Sequence, residues 1–407
     1  MPGRTAVVVF LAFAAAYFLS ALIRAITATL SPALTQEFAL HARDLGLLGG
    51  GYFLGFAATQ LPLGSWLDRF GPKRVILCLL LVAVLGCTAF ATATSFGGLL
   101  LARILSGVGL SACLMAPLTG YRRWFAAASQ MRANSWMLMT GAFGMVASTL
   151  PVQWLMPLTG WRALFWGLAV LLVLSMVLIV TQIPAWSHKA ETTLSDQGVS
   201  ADRGGYAEVW RNRYFQSMAP MAFFVYGGLV AMQTLWVTPW LIRVAGQTPL
   251  QAAGGLFWIN VAMLITFLLW GWANPWLARQ GYTADRLIAY GLPFSFVILA
   301  TIVVAGSEMT TWTAAAWAIY CVGCSFISLA QPAVALAFVP ALAGRALSSF
   351  NLLIFAGVFA VQWGVGLAID GFKALGASEV QGFQLSIGIY LLCCVMSYAY
   401  FLTSKKP

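Results

Sequence analysis

Gly64-Ser65-Trp66-Leu67-Asp68-Arg69-Phe70-Gly71-Pro72-Lys73-Arg74 joins two apolar runs, residues 43–65 and 73–93. Each run is about twenty residues long, enough for a helix to cross the hydrocarbon of a bilayer. Gly71 permits a tight turn. Arg69, Lys73 and Arg74 place that turn on the cytoplasmic side, where basic loops accumulate. The stretch therefore reads as the turn of a helical hairpin embedded in a membrane.

The same pattern repeats along all 407 residues. Of these, 61% are apolar and 8% charged, against about a quarter charged in a soluble domain. A chain so poor in charge cannot cover a water-facing surface. Twelve apolar segments follow, at 6–33, 43–65, 73–93, 96–119, 133–157, 162–183, 214–243, 251–277, 285–305, 309–337, 346–370 and 383–402. All must be helices, since a lipid-exposed segment has to satisfy its backbone hydrogen bonds internally. The first is too long for a cleaved leader and reads as a resident helix.

The net charge of +11, from 22 Lys+Arg against 11 Asp+Glu, could suggest a nucleic-acid partner. Its distribution excludes one. With both termini cytoplasmic, the outer loops hold only Arg43, Arg162, Arg243 and Lys373. Arg24 and Arg103 lie within segments, and the remaining 16 basic residues are cytoplasmic, a strong positive-inside asymmetry. The polar stretch 184–213, with His188, Lys189, Glu191, Asp196, Asp202, Arg203 and Glu208, divides the chain into two six-helix bundles, 1–183 and 214–407. A weak internal repeat agrees: Leu67 to Gly71 is echoed by Leu277 to Gly281, and Gly107 and Pro117 by Gly323 and Pro332.

The loop 64–74 resembles the signature G-x-L-x-D-R-x-G-R-R of the major facilitator superfamily, with Pro72 and Lys73 as mild departures. Leu101-Ala102-Arg103-Ile104-Leu105-Ser106-Gly107-Val108-Gly109 resembles the helix-four motif of that superfamily. The resemblance implies an all-α membrane fold, two six-helix bundles around a central cavity, and secondary transport by alternating access. It further implies that Gly64, Asp68, Arg69, Gly71, Lys73 and Arg74 form a gating loop. There Asp68 meets the N-terminal end of helix eleven, where the helix dipole favours an anion, and Arg345 is an extra partner. The second half has Ala278 in place of the aspartate, which argues against a symmetric latch. Arg103 is implied to pack against helix one, and in some members to serve proton coupling.

Arg24 carries the most functional information. An arginine in the bilayer centre costs about 2.5 kcal/mol or more, so it faces a cavity or a partner. Tyr17, Ser20, Arg24, Thr27 and Ser31 recur at spacings of three and four and share one helix face. Segment one resembles the phosphate-ester antiporters and anion:cation symporters, where an arginine also precedes a proline by eight residues, as Arg24 precedes Pro32. That resemblance implies anion binding by the guanidinium, whose fork suits carboxylate and phosphate. The second arginine of the antiporters is absent, its counterpart being Ala231, so a small carboxylate is expected rather than a phosphate dianion. The competing reading gives Arg24 a structural role, capping carbonyls or pairing with Glu37.

No acidic residue lies mid-segment; Glu37, Asp44, Glu308, Asp370 and Glu379 lie near the outer face. An exporter of cationic drugs needs an embedded carboxylate, and a proton coupled through a central acid lacks a carrier, leaving Glu37, His41 and Asp370 at the rim. Polar and aromatic stripes continue the cavity wall: Tyr226, Gln233, Trp236 and Trp240 in segment seven, Tyr320, Cys324, Ser328 and Gln331 in ten, and Ser348, Asn351, Phe355 and Gln362 in eleven. The expected substrate site is thus Arg24, Tyr17, Ser20, Thr27, Gln233, Trp236, Tyr320, Gln331 and Asn351.

None of the seven cysteines lies in an outer loop, so no disulfide framework is expected. Cys321 and Cys324, with scattered methionines, leave a Cu(I) importer as an alternative, and export of a neutral or amphipathic compound is another. No nucleophile with its base marks an enzyme. The chain is therefore expected to be a monomeric, multi-pass protein of a bacterial inner membrane, carrying a small organic anion with H+ or Na+ symport or by exchange, without cofactor or resident metal.

Overall fold

The computed structural model describes residues 3–184 and 205–404. His188, Lys189, Glu191, Asp196, Asp202 and Arg203 of the expected linker, and Lys405 and Lys406, lie outside the described residues. Among the described residues every regular element is helical. The first half comprises α1 (Gly3–Phe38), α2 (Ala42–Ala58), α3 (Gln60–Phe70), α4 (Pro72–Thr92), α5 (Phe96–Leu110), α6 (Ala112–Trp124), α7 (Ala127–Ala147) and α8 (Leu150–Gln182). The second comprises α9 (Tyr206–Arg211), α10 (Arg213–Pro220), α11 (Gly227–Ala231), α12 (Val237–Arg243), α13 (Pro249–Arg279), α14 (Ala284–Ala305), α15 (Thr313–Cys324), α16 (Ala330–Leu336), α17 (Pro340–Ala374) and α18 (Glu379–Thr403).

Among the described residues, 9 helices are long and apolar enough to cross a membrane. Breaks inside the long helices fall where the sequence expects loops. Gly160 has a φ of 71° within α8, between the segments expected at 133–157 and 162–183. Gly306 and Thr310, at φ 51° and 34°, separate α14 from α15. Segment seven departs from α-geometry, because Met221–Tyr226 and Met232–Trp236 are π-helical. The outward face of α8 is bare hydrocarbon: Leu171, Val173, Leu174, Val177, Leu178 and Val180 are exposed. An apolar surface of that extent belongs against lipid.

Packing follows from small residues. Lipid is as apolar as leucine, so helices associate through close backbone approach rather than hydrophobic expulsion. In the first half α1 packs on α7 and α8, α4 on α5 and α8, and α2 on α5. A Cβ on Gly55 would overlap the Ile104 carbonyl, one on Gly107 the Tyr52 carbonyl, and one on Gly109 the Ala83 backbone. In the second half α14 packs on α15 and α18, and α13 on α15. Contacts between halves are led by α2 on α17, joined by α1 on 232–236 and α12, by α13 on α7 and α8, and by α3 on α17.

The α2–α5 seam gives a direct test. Gly107→Ala should destabilise the protein by about 1–3 kcal/mol, the usual cost of overpacking a tight contact, because backbone cannot move aside as a side chain would. Thermal unfolding in detergent measures it, with Gly97→Ala, where a Cβ meets nothing within 4 Å, as the neutral control.

Candidate functional site

Arg24 is half-buried on α1 and its Nε is buried without a hydrogen-bond partner. Among the described residues no carboxylate pairs with it. Three tyrosines lie within its electrostatic reach instead. Its charge acts on the hydroxyls of Tyr17 on α1, Tyr52 on α2 and Tyr226 in the π-helical segment, so both halves contribute. Tyr17 is held by Gly141 of α7, whose missing side chain leaves room for the ring. Ser20 Oγ donates to the Leu110 carbonyl at 3.4 Å, and Thr27 is buried on the same face. Ser31 Oγ turns back to the Ala28 carbonyl at 2.8 Å, so the stripe ends in a local bond.

Glu37 does not pair with Arg24. It accepts from Arg162 Nη1 at 2.6 Å and Trp161 Nε1 at 2.7 Å, and the Arg162 guanidinium lies 4.1 Å from the Trp161 ring centroid. Thirteen residues of helix separate Glu37 from Arg24, about 20 Å at 1.5 Å per residue. Arg103 is 1% exposed, donates from Nη1 to the Ile23 carbonyl of α1 at 2.9 Å, and lies 5.0 Å from the Tyr52 ring centroid. It thus bridges α5, α1 and α2, which is the packing geometry.

Tyr52, 0% exposed and with an unpartnered hydroxyl, was missed by stripe reading because it follows three glycines rather than polar neighbours. Its ring meets one arginine and its hydroxyl feels the other. Phe53 of α2 stacks on Phe355 of α17 and Phe56 packs against it at a tilt, at centroid distances of 6.3 and 4.4 Å, and these rings add an aromatic contact spanning the halves.

The residues expected from the second half are less open than their stripes imply. Trp236, 1% exposed, donates from Nε1 to the Gln362 carbonyl at 3.1 Å. Gln233 Nε2 donates to Asn260 Oδ1 at 3.1 Å. Both are spent on packing between helices. Tyr320 turns toward α18, its hydroxyl 2.8 Å from that of Tyr390, so it belongs to the interior of the second half. Gln331 Nε2 donates to Asn351 Oδ1 at 2.6 Å, bringing those two together. The thiols of Cys324 and Cys394 point at the Val225 and Phe224 carbonyls of the π-helical segment. Among the described residues, no group of three His, Cys, Asp or Glu side chains is placed to hold a metal ion.

In the gating loop, Gly71 takes φ 78°, the left-handed region that glycine tolerates, and Pro72 opens α4. Lys73 Nζ donates to the Val180 and Ile183 carbonyls at 2.7 and 2.6 Å, a cation on the C-terminus of α8. Arg69 lies over Phe70 at 5.2 Å, Arg74 is exposed, and nothing crowds Gly64. Asp68 and Arg345 are both engaged. Arg345 lies 6.0 Å from the Tyr206 ring centroid, whose hydroxyl donates to the Leu61 carbonyl at 3.2 Å. Tyr206 thereby ties α3 to α17.

The Major Facilitator Superfamily profile matches residues 13–362. The 4-hydroxybenzoate transporter PcaK of Acinetobacter baylyi is 26% identical over 72% of this chain and 69% of its own length. The multidrug resistance protein MdtM of Escherichia coli O157:H7 is 27% identical over 68% of this chain and 66% of its own. The chain thus spans about two-thirds of these relatives. The inward-facing, unoccupied structure of a bacterial homologue of the human lysosomal transporter Spinster superposes with a TM-score of 0.77, at 19% identity, over 99% of this chain and 98% of that one. At that identity the likeness is one of fold.

Tyr320→Phe separates scaffold from site. It leaves the Tyr390 hydroxyl buried without its partner, which should cost about 1–3 kcal/mol in thermal unfolding. The affinity of any transported ligand should be unchanged.

Proposed function

This chain belongs to the major facilitator superfamily, and from that premise we propose that it carries a small organic anion, a carboxylate, across a bacterial inner membrane by alternating access. One observation carries the reading: a guanidinium without a carboxylate partner among the described residues, with tyrosines of both halves within its electrostatic reach. A carboxylate fits that arrangement, taking a charge-assisted bond from Arg24 and hydroxyl donors around it. The Phe53, Phe56 and Phe355 rings supply an apolar wall, which favours an aromatic or similarly flat body. The relative named as a 4-hydroxybenzoate transporter supports this substrate class.

Counting α2 and α3 together as one leg, and allowing for the break at Gly160 and the break between α14 and α15, the chain has twelve crossing legs. They form a bundle of residues 1–183 and one of 214–407, with both termini cytoplasmic and the chain acting as a monomer. The side bearing Arg43 and Asp370 is then the outer side. There α2 lies on α17 and α1 on 232–236, so the outer gate is shut. Uptake of an anion works against about 2.3 kcal/mol per charge per 100 mV, and so requires H+ or Na+ symport, or exchange for an internal anion. The similarity to MdtM favours a second reading, efflux of an amphipathic compound.

Purified protein should be stabilised by 4-hydroxybenzoate in a thermal-shift assay and should accumulate it in proteoliposomes. Arg24→Ala should weaken apparent affinity about 10–100-fold, the worth of a hydrogen bond to a charged group, and Arg24→Lys less. Tyr52→Phe should weaken it by a smaller factor. Equal affinity in wild type and Arg24→Ala would overturn the anion site, and stabilisation by uncharged amphiphiles alone would favour efflux.

A further inference from the structure

Among the described residues, the outer gate holds a charged contact between the halves. The backbone N–H groups of Ala42 and Arg43, at the start of α2, donate to Oδ1 and Oδ2 of Asp370 on α17, at 3.3 and 2.9 Å. Asp370 thus caps a helix of the other half, more than three hundred residues away in sequence. The helix supplies its own second cap, since Asp44 Oδ2 accepts the His41 N–H at 3.0 Å. The two carboxylates therefore take different first-turn donors, and neither replaces the other.

The seam below this contact is close. A Cβ on Gly366 would overlap the Ala42 carbonyl, and one on Gly46 the Gln362 carbonyl. Gly49 faces Leu235 and the Gln362 side chain, and Gly50 faces Phe359. Such a seam is held by short-range dispersion alone, which vanishes within an ångström or two of separation. The Asp370 bonds are directional and ionic, and the dipole of α2 adds to them. Opening this side parts α2 from α17 and breaks both bonds together.

We propose that Asp370 is a positioning residue of the transport cycle: its carboxylate latches the outer gate by capping α2 across the two halves, and lets go each time the site faces outward. The inference rests on the alternating-access reading but not on the identity of the substrate. The partner loop at the other end of α2 carries Asp68, and α3 there packs on α17. Each end of the α2–α17 pair then has its own carboxylate, one contributed by each half.

The test is a distance measurement on the full chain, in nanodiscs, without substrate. Spin labels go on Thr94→Cys and Leu375→Cys, exposed positions on outer turns of the two halves, with Cys78→Ser and Cys393→Ala removing the accessible native thiols. Wild type should show mainly one short distance. Asp370→Asn keeps the shape but loses the charge, and should raise the population of the longer, outward-open distance about fivefold, the scale of a lost helix cap. Asp370→Ala should raise it further. Glu379→Gln, which removes another outer carboxylate that reaches only Arg243, at 3.8 Å, should leave the distribution as in wild type. An unchanged distribution in folded Asp370→Asn overturns the latch, as does an equal shift in Glu379→Gln. If 4-hydroxybenzoate fails to bind yet Asp370→Asn opens the gate, the substrate reading falls and the latch stands. If it is transported normally and the distances do not move, the latch falls alone.

Discussion

A guanidinium inside a bilayer must be answered by something, and this chain carries two with no acid among the described residues to answer them. The cost of each is about 2.5–3.5 kcal/mol on insertion scales, so their surroundings reveal what each is for. Arg103 is answered by fixed parts of the protein: the Ile23 carbonyl and the face of Tyr52. These hold α5, α1 and α2 in register. Arg24 has only hydroxyls near it and a buried Nε with no acceptor. Arg103 also keeps Nε and Nη2 buried without partners, so the two differ in what their charges meet: a backbone carbonyl and a ring face for Arg103, and tyrosine hydroxyls for Arg24.

The same helix must be rigid on one face and separable on another. On α2, Gly51 and Gly55 lie against Leu100 and Ile104 of α5, inside one half, whereas Gly46, Gly49 and Gly50 lie against Leu235, Phe359 and Gln362 of the other half. Both seams use glycine for close approach. They differ in what else crosses them. The inner seam is reinforced by Arg103 stacking on Tyr52, which has no reason to break. The outer seam is reinforced by a cap at its rim, where water can hydrate the released groups.

The all-helical, membrane-crossing architecture was legible because lipid imposes it: long apolar segments and the turn at Gly71 each follow from one physical requirement. The place of Arg24 and Arg103 was legible for the same reason, since charge in an apolar segment has few explanations. Stripe reading fared worse in the second half. It assumed a period of 3.6 residues, but Met221–Tyr226 and Met232–Trp236 close i→i+5 turns, which shift the phase of Gln233 and Trp236 relative to Tyr226. Periodicity also gives a face and not the neighbour across it, so Tyr320 looked free until Tyr390 was seen opposite. Lys73 read as a topology marker; its bonds to the end of α8 depend on two segments 107 and 110 residues apart in sequence and leave no local signal.

The strength of the rim contact matters as much as its presence. A buried ion pair broken by separating its partners leaves uncompensated charge, a loss of about 3–5 kcal/mol, and a gate built that way would rarely open. A gate held by dispersion alone would have no defined closed position beyond its shape. A half-buried carboxylate on two backbone donors lies between, since hydrogen bonds to charged groups contribute about 1.5–3 kcal/mol each and hydration of the freed carboxylate returns much of that. On the proposed reading, the closed state is then favoured by an amount that the binding of one anion to the Arg24 guanidinium can match. A carrier works only where the energies of site and gate are comparable, and the chemistry at Arg24 and at Asp370 puts them on the same scale.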